Sequence, residues 1–255
     1  MRIFWSICLF LCAGQVVAQE GVIFSNLRGT ELAMALQEAY RPRSVLSYSQ
    51  ARDTLFGLID GQQDSIYCSY TGYAHHLSKN HDPTKYIFDD GAATGMNCEH
   101  IWPQSKGTKY GNAKSDMHHL FAVLASVNQA RGNLPFGEVD DNQATHWYYR
   151  SQNLRYIPEE SIRDRYSELG QGRFEPPENK KGDIARAMFY VYVMYNDQVE
   201  VSFLRDQLFT LRYWHVSDPP NQWEIERSRW IGRYQDGKAN PFVLDPSLVE
   251  RIFEE

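Results

Sequence analysis

One stretch, from Asn97 to Gly137, constrains this chain more than any other, because it gathers a carboxylate, three histidines, an amide and an arginine. Its informative runs are residues 97–105, NCEHIWPQS, residues 115–120, SDMHHL, and residues 127–137, VNQARGNLPFG. Hydrolysis of a phosphodiester needs a base for the attacking water and positive charge on the phosphate and on the leaving oxygen. These side chains are the inventory for such a metal-assisted attack.

The same stretch predicts two strands followed by a helix. Residues 99–102 suit a short strand that Pro103 ends, and residues 117–123 suit a second strand. Ser126 can cap a helix that runs past Arg131. Strand, loop, strand, helix is therefore the predicted plan of this part of the chain.

Four residues of the stretch have the chemistry that the reaction needs. His100 titrates near neutral pH and can be the general base. Neighbours on a strand point to opposite faces, so we expect separate roles for His100 and Glu99, with Glu99 on a metal ion. Asn128 adds a second hard oxygen, which suits Mg²⁺, and Arg131 lies on the same side of the helix, where it can clamp a phosphate. This interpretation requires an accessible His100 ring, and Glu99 and Asn128 oxygens that share one ion.

Structural explanations stay open for the same residues. Asn128 could cap a helix, and Arg131 could form a surface salt bridge. His118 and His119 are neighbours on the predicted strand, so at most one of them faces the site and the other belongs to the core.

The rest of the chain predicts helices packed around a small sheet. Helices are predicted at residues 28–41, at 47–59, from Asp183 onward, and near 202–212, 219–235 and 245–253, with strands at 65–71 and 146–157 and a loop at 168–182. No repeat or linker divides the chain. The predicted fold class is α+β, with a single domain over residues 19–255.

The first residues predict export. A positive start, a short apolar run and small residues before Gln19 are typical of a secretory signal peptide, here residues 1–18. The apolar run is too short to span a membrane. Of the four cysteines, Cys68 and Cys98 stay in the mature chain, and an oxidising compartment favours a disulfide between them. Two buried free thiols are the alternative.

The net charge argues against a general polyanion-binding surface. The chain carries −6 at neutral pH, and loss of Arg2 with the signal peptide makes the charge more negative. Binding of nucleic acid therefore requires basic residues gathered locally and help from a metal ion.

The residues quoted above resemble the signature of the bacterial endonuclease I family, whose members are exported, sequence-nonspecific nucleases with a ββα-metal (His-Me finger) active site. The matching runs are residues 99–105, 115–120 and 127–133, joined by YTG at 70–72, KGDIARA at 181–187 and NPF at 240–242. The resemblance covers roughly residues 45 to 250. One departure is that Ala122 and Leu124 stand where the family usually has Pro and Asp.

The resemblance implies roles for single residues. His100 corresponds to the general base, Glu99 and Asn128 to the Mg²⁺ ligands, and Arg131 to an arginine near the phosphate. The backbone carbonyl near Lys114 corresponds to the group that orients the His100 ring.

The resemblance also implies a fold, a substrate and a cellular location for the whole chain. Its ββα-metal core would lie at about residues 95–137, surrounded by several α-helices. Its substrate would be DNA, bound by the phosphate backbone and cut to 5′-phosphate products, with RNA open as a second substrate and Mn²⁺ or Ca²⁺ open as substitutes for Mg²⁺. It would be a secreted or periplasmic monomer without a membrane partner.

Other functions have weaker support in the sequence. A catalytically silent nucleic-acid-binding or structural protein of the same fold is the main alternative, but His100, Glu99, Asn128 and Arg131 are all present. A metalloprotease lacks its His-Glu-x-x-His helix here. The histidines at 75, 76 and 81 have no familiar zinc-site spacing.

Overall fold

The computed structural model describes residues 21–61, 63–78, 80–88 and 94–254, and the predicted signal peptide lies outside the described residues. The helices are α1, Gly29–Tyr40; α2, Tyr48–Thr54; α3, Pro83–Phe88; α4, Ala125–Arg131; α5, Glu160–Arg163; α6, Lys181–Met194; α7, Ser202–Arg205; α8, Leu208–Ser217; α9, Gln222–Gly232; α10, Pro241–Leu244; and α11, Leu248–Phe253. The strands are β1, Ser65–Tyr67; β2, Ala74–His76; β3, Met96–His100; β4, Leu120–Leu124; β5, Ala144–Tyr149; β6, Gln152–Leu154; β7, Ser167–Gly170; and β8, Arg173–Glu175.

Helix α6 is the centre of the helical part of the fold. Thirteen of its fourteen residues are buried, the exception being Tyr192. It contacts α1, α8 and α10, and its apolar side chains belong to one hydrophobic core that extends from Leu32 to Ile252. A helix buried on all sides cannot show a narrow apolar stripe, because every face needs apolar residues. The α+β class and the single domain are confirmed.

The second predicted helix, residues 47–59, consists of two parts. The Ser47 side chain accepts a hydrogen bond from the Gln50 backbone N–H, and the Gln50 side-chain oxygen accepts one from the Ser47 backbone N–H, which is a capping box that starts α2. After Thr54 the chain widens into a π-helical turn, Leu55–Ile59, whose apolar side chains enter the core.

The strands form three small antiparallel sheets. β1 pairs with β2, β3 pairs with β4, and the largest sheet has the order β6-β5-β7-β8. The prediction of a loop over residues 168–182 is wrong, because β7 and β8 form a hairpin there. Its two turn residues, Gln171 and Gly172, both have positive φ, 53° and 72°. Such a turn matches the twist of its strands and needs only two residues, so glycine here marks a tight turn instead of a loop.

The predicted strand–loop–strand–helix plan is confirmed, with shifted boundaries. β3 pairs with β4 from Met96 opposite Leu124 to His100 opposite Leu120, and α4 follows β4 at once. Residues 117–119 form a 3₁₀ turn before β4, because the Asp116 side chain accepts a hydrogen bond from the His118 backbone N–H. Leu124 occupies the N-cap position of α4 and cannot cap it.

The predicted disulfide between Cys68 and Cys98 is wrong, since both thiols are buried and free. Strand β4 separates them: Ala122 is opposite Cys98 in β3, while its carbonyl accepts a hydrogen bond from the Ser69 N–H on the other edge. Two strand spacings are about 9–10 Å, and a disulfide needs Cα atoms within about 7 Å. The Cys68 sulfur instead accepts a hydrogen bond from the Leu124 N–H.

Within the described ranges, no helix combines the length and the continuous apolar sequence that a membrane crossing requires.

Candidate active site

Strand β3 and helix α4 face each other through two polar contacts. Asn97 and Glu99, two residues apart on β3, project from the same face of the strand. Asn128 and Arg131, three residues apart on α4, share one side of that helix. The Asn128 Nδ2 donates to the Asn97 Oδ1 at 2.6 Å, and the Arg131 Nη1 donates to the Glu99 Oε1 at 2.9 Å. The structure therefore joins Arg131 to Glu99 directly, and it places Asn128 against Asn97, two residues before Glu99 on the same strand.

Glu99 is a buried carboxylate, with 3% of its surface exposed. Its Oε1 accepts hydrogen bonds from the Tyr70 hydroxyl and from Arg131 Nη1, each at 2.9 Å. Burial raises the pKa of Glu99, and the Arg131 charge and the Tyr70 hydrogen bond oppose that rise. Neither of these two side-chain donors uses Oε2, so one oxygen of the carboxylate is left for another partner.

Arg131 does not reach the surface. Its side chain is fully buried, with Nη2 donating to the Ile101 carbonyl at 2.8 Å and Nη1 also 3.3 Å from the His100 carbonyl. The guanidinium carbon lies 4.4 Å from the centre of the Phe136 ring. The expectation that Arg131 contacts phosphate does not fit this geometry, because its donors are already directed at Glu99 and at the turn after β3.

His100 is held in one tautomer by its surroundings. Its Nε2 lies 2.9 Å from the Lys114 carbonyl, which confirms the predicted contact with that backbone group. A carbonyl only accepts, so Nε2 carries the proton and Nδ1 is the acceptor. The amide nitrogen of Gln104 lies 3.2 Å from Nδ1 and can donate to it.

The His100 ring is less accessible than expected. The residue is 5% exposed, so the expectation of an accessible ring is wrong for this structure. Burial lowers the pKa of His100 to about 3, and the positive charges of Lys114 and Arg52 act in the same direction. The ring is therefore neutral at physiological pH but a weak base in this buried arrangement, because a general base works best with a pKa near the operating pH.

His119 faces the candidate site and His118 does not, as the one-face argument predicts. The His119 ring centre is 5.4 Å from that of His100, and its Nε2 lies 2.6 Å from the Ala113 carbonyl. His118 instead packs 4.9 Å from the Tyr190 ring and contacts the Lys238 carbonyl.

Two residues beside His100, Tyr48 and Arg52, and the side chain of Lys114 were not assigned to the site by the sequence analysis, which expected only the backbone carbonyl near Lys114 there. The Tyr48 ring centre is 5.5 Å from the His100 ring. Arg52 and Lys114 both lie against the Tyr48 ring, at 4.6 Å and 5.3 Å from its centre. The spacing of Tyr48 and Arg52 on α2 predicts that they are neighbours, but no local pattern connects them with His100.

The donor set fits a hydrated divalent cation. Glu99 Oε2 takes neither of the two hydrogen bonds above, and Asn128 uses its nitrogen and not its oxygen in the contact with Asn97. One carboxylate oxygen and one amide oxygen are hard ligands, and Mg²⁺ keeps most of its waters when few protein ligands hold it. In the described part of the chain, no group of three or more His, Cys, Asp or Glu residues could hold a metal ion.

The histidines at 75 and 81 have other neighbours. Their rings pack against Tyr86, at 6.0 Å and 5.0 Å between centres. The Nδ1 of His75 contacts the His76 carbonyl, and that of His81 contacts the Ser78 hydroxyl.

A cavity of about 660 Å³ lies away from the candidate site, between α9 and the turn that follows β1. Two of the cations in its wall are paired with carboxylates: Arg227 with Asp60 at 2.7 Å, and Lys180 with Asp183 at 2.7 Å. Neither Glu99 nor His100 lines this cavity.

Known proteins resemble this chain over most of its length. A family model described as Endonuclease I matches residues 29–247. An extracellular ribonuclease of Bacillus amyloliquefaciens is 28% identical over 247 residues, which is 90% of this chain and 76% of the relative. A periplasmic deoxyribonuclease of Aeromonas hydrophila is 30% identical over 139 residues, 54% of this chain and 51% of the relative. Endonuclease-1 of Buchnera aphidicola subsp. Acyrthosiphon pisum is 30% identical over 135 residues, 53% of this chain and 46% of the relative.

Proposed function

The chain belongs to the endonuclease I family and is a nuclease, and we propose that it is a metal-dependent endonuclease with a histidine general base. Its substrate is DNA, cut with little sequence preference to 5′-phosphate products. RNA is the second candidate substrate, because the relative named a ribonuclease aligns over 90% of this chain.

The tautomer of His100 carries this proposal. The Lys114 carbonyl holds the proton on Nε2, so Nδ1 keeps the lone pair that a base needs to take a proton from water. The Gln104 amide occupies that lone pair in this structure. We infer that Gln104 gives way to the attacking water, because a base must be within hydrogen-bond reach of the proton that it takes.

Glu99 and Asn128 would hold the metal ion, with Mg²⁺ as the first choice and Mn²⁺ or Ca²⁺ as substitutes. A divalent ion bound there supplies positive charge for the phosphate and for the leaving 3′ oxygen. Asn97 Oδ1 accepts from the Asn128 amide and orients it, so that the Asn128 oxygen is left for a cation.

Arg131 acts as a positioning residue in this proposal. Its Nη1 donates to Glu99 Oε1, and its Nη2 donates to the Ile101 carbonyl. These contacts hold the carboxylate of Glu99 and the turn after β3 in one arrangement. The pair of strands followed by α4 supports a ββα-metal core at about residues 95–137.

The relatives' names support an exported protein. The Bacillus relative is called extracellular and an Aeromonas relative is called periplasmic. With the predicted signal peptide at residues 1–18, the mature chain would act as a secreted or periplasmic monomer.

A plasmid-nicking assay tests the proposal. His100→Ala should lose about 10²- to 10⁴-fold in cleavage rate, because general-base catalysis contributes that much. His76→Ala, a control at an exposed histidine, should cleave like the parent. Near-normal cleavage by His100→Ala would reject the base assignment.

Metal removal tests the rest of the site. Cleavage should stop in EDTA and return with Mg²⁺, and calorimetry should find weaker Mg²⁺ binding for Glu99→Ala and for Asn128→Ala. Equal Mg²⁺ affinity in these variants and the parent would exclude the two residues as ligands. A parent protein that binds DNA but never nicks it would favour the catalytically silent alternative.

A further inference from the structure

We propose that Tyr48, Arg52 and Lys114 form a subsite for the nucleic-acid backbone beside the scissile phosphodiester. The proposal rests on the proposed nuclease function and names the cations that meet the phosphates at that site. It fills the role that the sequence assigned to Arg131, whose buried guanidinium is already engaged with Glu99 and with backbone carbonyls.

The three side chains converge on one aromatic ring. The Arg52 guanidinium carbon and the Lys114 Nζ lie 4.6 Å and 5.3 Å from the centre of the Tyr48 ring. That ring centre lies 5.5 Å from the His100 ring. Two positive charges are therefore placed beside the proposed base, within the reach of a single stretch of backbone.

Each of the three residues is fixed by its position in the fold or by a contact with the rest of the protein. The Tyr48 hydroxyl hydrogen-bonds the buried thiol of Cys98, which directs the tyrosine tip into the protein. Arg52 lies one helical turn after Tyr48 on α2. The Lys114 carbonyl holds His100, so the lysine backbone is tied to the base itself. Residues anchored in this way lose little conformational freedom when a ligand binds.

The charges of this subsite are not neutralised by the protein. In residues 21–61, 63–78, 80–88 and 94–254, no salt bridge involves Arg52 or Lys114. The Nε of Arg52 is buried without a hydrogen-bond partner. The Nε atoms of Arg131, Arg163 and Arg251 are also buried without a partner, so the Arg52 N–H adds an open donor to the subsite and does not by itself identify a ligand. A phosphate oxygen is the acceptor that suits a guanidinium.

The local excess of positive charge at Arg52 and Lys114 contrasts with the net negative charge of the chain. The chain is acidic, at −6, so most of its surface repels a polyanion. Two cations at the cavity near α9, Arg227 and Lys180, are paired with carboxylates, whereas Arg52 and Lys114 lie against the Tyr48 ring. The competing explanation is that both cations only pack on Tyr48, a contact that needs no ligand.

Salt dependence of binding separates these two explanations. The dissociation constant for a short duplex DNA is measured in EDTA between about 50 and 200 mM KCl, where each lost phosphate contact lowers the slope of log affinity against log salt by about 0.9. The double variant Arg52→Gln, Lys114→Gln should therefore lose about 1.8 from that slope. Arg28→Gln, at an exposed arginine paired with Glu254, is the control for removing one charge elsewhere.

Charge-retaining variants guard against misfolding. Arg52→Lys and Lys114→Arg should keep the parental slope, because each keeps its positive charge. A double variant that melts like the parent and has the slope of Arg28→Gln would overturn the subsite. The proposed function fails by a separate result, normal nicking by His100→Ala, so the two failures are distinguishable.

Discussion

Two arginines, Arg131 and Arg186, are both fully buried, yet they bind their carboxylates in different ways. Arg186 donates from Nε and Nη2 to the two oxygens of Glu224, each at 2.6 Å, and from Nη1 to the Asp218 carbonyl at 2.7 Å. Arg131 makes one contact with Glu99 and sends its other donors to backbone carbonyls, and its Nε has no partner.

The difference separates a structural ion pair from one that supports a site. The fork of Arg186 uses both oxygens of Glu224, so this pair is closed to any ligand. The single contact of Arg131 uses only Oε1 of Glu99 and leaves Oε2 for another partner. Residues of the same type and burial can therefore have different functions, and the number of oxygens that each pair uses distinguishes them.

The largest effect on stability is expected at the closed pair. Glu224→Gln removes the two-oxygen counter-ion of buried Arg186, leaves only Asp183 at 3.3 Å from its Nη2, and should lower the free energy of unfolding by about 3–5 kcal/mol. Cleavage per folded molecule should be unchanged. Urea denaturation measures the loss, with Glu226→Gln as the control, because that carboxylate contacts only Gln222 in the described hydrogen bonds. A loss below 1 kcal/mol for Glu224→Gln would contradict a structural role.

A smaller loss of stability is expected at the open pair. Glu99→Gln should cost about 1.5–3 kcal/mol, the worth of a hydrogen bond to a charged group, because Arg131 keeps its two carbonyl contacts. The same variant should lose Mg²⁺-dependent cleavage, which Glu224→Gln should not. If Glu99→Gln is destabilised as much as Glu224→Gln and still cleaves when folded, the Arg131–Glu99 pair is a structural pair like Arg186–Glu224.

The smallest effect is expected from the hydroxyl that shares Glu99 Oε1. Tyr70→Phe removes one donor at 2.9 Å and keeps the ring packed 4.7 Å from Phe174, so it should cost about 0.5–1.5 kcal/mol. Tyr67→Phe is the matched control on an exposed ring and should be neutral. Equal urea midpoints for the two variants would show that Arg131 alone positions Glu99.

Much of the fold was predictable because its signals are local. Apolar spacing predicted a helix at 28–41, observed as Gly29–Tyr40, and a terminal helix at 245–253, observed as Leu248–Phe253. The β7–β8 hairpin was missed because its glycines and charges are also typical of loops. Only the pairing of the two strands, which is a non-local contact, distinguishes the two cases.

The sequence proposed which residues form the candidate site, but it did not predict their contacts. Residue types alone selected Glu99, His100 and Asn128, since few side chains can serve as a base or as a hard oxygen ligand. Periodicity also placed Asn128 and Arg131 on one side of a helix. Periodicity did not predict that this side of the helix packs against β3, where Arg131 binds Glu99 and is buried.

The sequence by itself determined the family, the order of strand, strand and helix at the centre, and the residues that could do chemistry there, because these depend on side-chain identity and short-range spacing. Tertiary structure alone decided that β4 lies between Cys68 and Cys98, and that Tyr48 brings the Arg52 and Lys114 charges beside His100. The physical reason is that periodicity tells which side chains share a face, whereas the order of strands and helices in space decides what that face meets.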